Sequence, residues 1–107
     1  MYPDGSAYPL RTLFDAAVRQ YSIKLTCRAC QHVRILHPHA LWWMFDKKGW
    51  PDSFKDVQRR AVCVPCRKLR NEIVRNPRLE LVHEEITGEP LPLPSEQEWK
   101  RALSRHR

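Results

Sequence analysis

All four cysteines of the chain lie in two short motifs, Cys27-Arg28-Ala29-Cys30 and Cys63-Val64-Pro65-Cys66. Two C-x-x-C pairs are the donor set of a tetrahedral, all-thiolate zinc site. Each pair offers two sulfurs from one tight turn, and the chain between them brings the turns together. The reading is therefore Zn²⁺ held by Cys27, Cys30, Cys63 and Cys66. The spacer from Cys30 to Cys63 is 32 residues, longer than the ~15–20 of a compact ribbon, so it predicts a ribbon carrying an insertion. Three other chemistries use the same residues. Paired disulfides need an oxidising compartment, and the N-terminus shows no basic segment followed by an apolar one that would signal export. A redox C-x-x-C normally occurs once, within a βαβ pattern. An iron–sulfur cluster also takes four cysteines.

A chain of 107 residues makes one small domain with tails, and its core is modest without a staple. Structural zinc supplies roughly 10 kcal/mol or more in peptide models. No apolar run approaches the ~18 residues of a membrane span; the most apolar stretch, Ala40 to Phe45, is far shorter. A cytoplasmic protein with no membrane partner is expected. The net charge is +7, and residues 54–78 alone carry +6 while residues 79–94 carry −4. Such a local basic excess is the footprint of a phosphate-binding surface, or of a solvated face.

Residues 1–8 read as a flexible lead-in. Leu10, Leu13, Phe14, Ala17, Val18 and Tyr21 share one helical face, predicting a helix over about 9–20 with Pro9 at its first position. Ile23 to Thr26 and Val33 to Leu36 flank the first cysteine pair as a hairpin. Pro38 and Gly49 bound a second helix, with Trp42 and Phe45 inward. Asp52 or Ser53 caps a third over Phe54 to Arg60. After Cys66 a return strand of the ribbon is expected, with at most a helical turn, then a strand from Leu79 to Glu84. The zinc-ribbon-like domain with its N-terminal helix thus covers 9–86. Residues 87–94 form a proline-rich linker, and 95–107 a basic helix with a Ser95/Glu98 capping box. The fold class is α+β: a small β-hairpin zinc module with a helical insertion and flanking terminal helices.

From Leu13–Tyr21 through Leu25-Thr26-Cys27-Arg28-Ala29-Cys30-Gln31-His32 to Arg59-Arg60 before Cys63, the chain resembles small zinc-ribbon-like proteins of alphaproteobacteria, mostly of unassigned function. The resemblance covers roughly residues 10–70, and Gln31 stands where members often have Gly. It implies a cytosolic metal-binding domain.

Three functions follow from the residues. The first is a non-catalytic, zinc-stabilised nucleic-acid-binding module suited to regulation, with Arg59, Arg60, Arg67, Lys68 and Arg70 on phosphates. The second is a zinc-stabilised protein-interaction adaptor, with the Trp99, Ala102 and Leu103 stripe of the C-terminal helix, or the Trp42-Trp43 region, on a partner. The third is a metal-dependent nuclease of the His-Asn-His type. His37 and His39 lie between the cysteine pairs, but no Asn does; Asn71 and Asn76 come later. His32 is the residue expected to hydrogen-bond a thiolate.

Overall fold

The computed structural model describes residues 10–87 and 91–105; the predicted lead-in, Pro9 and part of the proline-rich linker lie outside them. The element order is α1 (Leu13–Val18), β1 (Ser22–Thr26), β2 (Val33–Leu36), α2 (Pro38–Lys48), α3 (Phe54–Arg60), α4 (Val64–Arg70), β3 (Arg78–Val82) and α5 (Glu96–Arg105). The architecture is α+β, with a three-stranded antiparallel sheet ordered β2-β1-β3.

The first helix starts later than the apolar periodicity suggests. Thr12 is its N-cap: the Thr12 hydroxyl accepts the Asp15 N–H, and the Asp15 carboxylate accepts the Thr12 N–H. This reciprocal capping box fixes the start. Asp52 reaches across and accepts the Phe14 N–H at 3.1 Å, while Ser53 caps α3 by accepting the Asp56 N–H. Both residues considered as caps for α3 therefore cap a helix, but different ones. The predicted apolar face holds except at Val18, which is 48 % exposed.

The hairpin and the second helix follow their local signals. Pro38 occupies the first turn of α2, and Gly49 ends it at φ 68°, a left-handed conformation that glycine adopts without strain. Trp42 and Phe45 are buried. Register aligns Leu36, Ile23 and Leu81 in one row and Arg34, Leu25 and Leu79 in the next. With a side-chain period of two, both rows share one face of the sheet, and α1, α2 and α3 cover it with Leu13, Leu41, Phe45 and Val57.

One expectation needs correction. The segment after Cys66 is helix α4, not a return strand; Cys63 is its N-cap and Pro65 sits in its first turn. What remains of ribbon pairing there is a single bridge, Val62 to Arg75. The strand that completes the sheet is β3, and it pairs with β1 on the side opposite β2. The linker, for its part, is tied down at its start: the Thr87 hydroxyl accepts the Ile35 N–H at 2.9 Å, and the Thr87 N–H donates to the Ile35 carbonyl.

The tail helix α5 docks. Trp99 packs on Phe14 and Trp42, each at 5.3 Å between ring centroids, and meets His39 edge-on at 4.3 Å. Ala102 is fully buried and Leu103 packs beside it. The Ser95/Glu98 capping box forms as the sequence predicts.

Candidate metal centre

β1 delivers the first cysteine pair. Cys27 follows its last residue and is held by its N–H to the His32 carbonyl at 2.9 Å; the Gln31 N–H closes the turn on the Cys27 carbonyl at 3.0 Å. Gln31 turns the chain at φ 64°, in the left-handed region where glycine is convenient and Gln is strained. Its side chain donates to the Arg28 carbonyl in partial return. The second pair is set by a helix start. Cys63 precedes α4, and Cys66 lies within its first turn, so one turn of helix brings both sulfurs to the same side. Asn71 ends α4 at φ 54°.

The four Sγ atoms lie within 4.8 Å of one another. Cys27 and Cys66 approach to 3.8 Å, Cys30 and Cys63 to 3.5 Å. A tetrahedron of sulfurs at about 2.3 Å from a zinc ion has an edge of about 3.8 Å. All four cysteines are free, and the sulfur separations far exceed the ~2.05 Å of a disulfide. The two turns do converge, and the arrangement can hold a metal ion. Among the described residues this is the cluster of His, Cys, Asp and Glu side chains so placed. It is compatible with a zinc-ribbon-like module.

The thiols differ in acidity. The Cys30 backbone N–H pulls Cys27 down to about 6, helped by the Ala29 N–H and opposed by burial. Burial pushes Cys63 up to about 12 and also raises Cys66. Cys27 therefore gives up its proton readily, and Cys63 and Cys66 with difficulty, because burial disfavours their charged forms. A bound cation offsets that penalty by neutralising the thiolates together.

The side chain that bonds a sulfur is Arg70, not His32. Its Nη2 donates to Cys66 Sγ at 3.2 Å, and this contact raises the guanidinium's own pKa. Arg70 stands four residues after Cys66, the neighbour position on a helix; the contact is legible only once the segment is known to be helical. His32 contributes its backbone carbonyl instead. Arg59, Arg60, Arg67 and Lys68 are exposed. Arg59 pairs with Asp56 at 3.5 Å, and Arg60 stacks 4.2 Å over the Trp50 ring. Arg67 and Lys68 lie on α4 beside Leu69, which is 84 % exposed.

No protein family, curated protein or solved structure matched this chain in comparisons with known proteins. The site is therefore read from its own chemistry.

The histidines between the cysteine pairs have local duties. His37 is the N-cap of α2, its Nδ1 accepting the His39 N–H at 3.2 Å. His39 packs on Trp99. Burial lowers the pKa of both, and their mutual repulsion lowers His39 further. Asn71 and Asn76 both take positive φ, as Asn does at turns.

Proposed function

We propose that the chain is a zinc-stabilised, non-catalytic nucleic-acid-binding module in the cytoplasm, built on a site of the kind found in zinc-ribbon-like proteins. The observation that carries the metal half is the placement of four sulfurs at near-tetrahedral separations. Zinc is the natural occupant, because a closed four-thiolate shell is its usual structural site. The nucleic-acid half is supported by the exposed basic residues that flank this site. Arg59 and Arg60 end α3, and Arg67 and Lys68 project from α4; the metal would fix the two helix ends relative to each other. Arg70 divides its role, since its guanidinium serves Cys66.

The test is fluorescence anisotropy with labelled duplex DNA across a salt series. Four to five phosphate contacts give a log–log slope of about −3.6 to −4.5. Arg67→Gln with Lys68→Gln should weaken binding and flatten the slope by about two. Affinity insensitive to salt, or to that double substitution, would contradict the reading.

A protein-interaction adaptor is the second reading, and one observation favours it. Leu69 and Ile73 are 84 % and 65 % exposed within the basic segment. An apolar patch rimmed by cations suits an acidic partner. The tail's apolar stripe packs inward, so the contact surface moves to α4. Recovery of one stoichiometric partner after nuclease treatment, lost in Leu69→Ser with Ile73→Ser, would favour this reading over the first.

A further inference from the structure

We propose that the cleft between the sheet and helices α2 and α3 binds a small amphipathic anion: a compact apolar body with one carboxylate or phosphate head. The cleft has a volume of about 240 Å³, at or below the small end of ligand sites. It has room for a short acyl chain or a bicyclic ring and excludes larger molecules. Leu25, Leu36, Leu41, Met44, Phe45 and Val57 give it an apolar interior. Arg34, Arg60 and Arg75 also line it and no carboxylate does, while Cys27 and Cys63 close it on the side of the metal centre; three guanidinium charges still outweigh the two net negative charges of a four-thiolate zinc site.

Arg34 is the decisive residue. The register that pairs Arg34 with Leu25 places it on the same face of the sheet as Leu36, Ile23 and Leu81. The helices cover that face at Leu36 and Ile23 but leave Arg34 exposed at its edge. An apolar residue in this row would extend the core; an arginine there places a cation at the margin of an apolar cavity. The salt bridges among the described residues involve other cations, and the thiolate cluster draws on Arg70 rather than on Arg34, Arg60 or Arg75. Arg60 is oriented by Trp50, and Arg75 donates to the Arg59 carbonyl at 3.5 Å. Guanidinium groups beside an apolar wall recognise a planar anion whose remainder prefers to leave water. A nucleobase fits less well, because the lining arginines offer donors but no acceptors for its amino edge.

Met44 lines the cleft, and the chain has just one other methionine, Met1. The full-length, zinc-loaded protein labelled with ¹³C at its methionine methyl groups is titrated with sodium octanoate, naphthalene-2-carboxylate and 1-octanol. Either carboxylate should shift the Met44 methyl signal saturably and leave Met1 in place; which one binds more tightly distinguishes an acyl from an aromatic source. Octanol should bind roughly tenfold more weakly, the worth of one charge-assisted hydrogen bond. Arg34→Gln should weaken carboxylate binding roughly tenfold without changing that of octanol. Ala61→Leu, which fills the cleft from α3's end, should abolish the shift with circular dichroism unchanged. The proposal is overturned if neither carboxylate shifts Met44 saturably up to millimolar concentration, or if octanol binds as tightly as octanoate. It is equally overturned if a single-stranded dT oligomer displaces octanoate and shifts Met44 in its place.

Discussion

Gln31 and Arg70 show how much of the metal centre rests on side chains that are not ligands. Gln31 holds the first knuckle at φ 64°, where a β-carbon costs about 1 kcal/mol and glycine costs little. Gln31→Gly should therefore raise stability by about 0.5–1 kcal/mol in urea unfolding of the metal-loaded protein; a loss of stability would mean that the bond from Gln31 to the Arg28 carbonyl outweighs the strain. Arg70 places a guanidinium 3.2 Å from Cys66 Sγ. Removing such a partner typically lowers metal affinity ten- to a hundredfold, so Arg70→Gln should weaken zinc retention by about tenfold against a competing chelator. Unchanged retention would show that the guanidinium does not support the thiolate site. The four ligand candidates are legible in the sequence because their spacing is local. The role of Arg70 is not, since it depends on the helical state of the segment between.

At the scale of elements, signals that sit within a few residues were readable: the β1–β2 hairpin, the Pro38 and Gly49 limits of α2, the Ser53 cap of α3 and the Ser95 cap of α5. The α4 helix escapes the same reading for a physical reason. Its inward side is anchored by Cys66 rather than by an apolar stripe, and Leu69 points to solvent, so hydrophobic periodicity is silent there. The pairing of β3 with β1 is non-local and has no signature in either strand. The docking of α5 rests on Trp99 against Phe14, Trp42 and His39. Trp99→Ala should cost about 3 kcal/mol and remove much of the near-ultraviolet circular dichroism; an unchanged melting temperature would mean that α5 contributes nothing to the fold. His37 and His39 add a pH dependence. Burial holds both below the ordinary value of 6.5, so the folded state binds fewer protons than the unfolded one in acid. Their contribution is fully present above about pH 6.5 and is lost as pH falls through the lowered folded values. A His37→Gln, His39→Gln double variant should show a shallower fall in stability between pH 6.5 and 5 than the parent; an identical slope would contradict the account.

The whole molecule divides its stabilisation between two ends. One is the apolar cluster of α1, β1, α2 and α5. The other, containing the two cysteine turns, α4 and the start of the Val62–Arg75 bridge, has few buried apolar side chains, and a metal held by the four cysteines would be its staple. Chelation should therefore melt the second end first, and falling pH should do the same, because protons compete with the metal for the thiolates. The most direct test is elemental analysis of protein purified without added metal, with thiols counted as a mercurial reagent titrates them. One zinc per chain, released in step with four reactive thiols, is the predicted result. A chain free of metal, or carrying iron, or yielding fewer than four thiols because some are joined as disulfides, would contradict it.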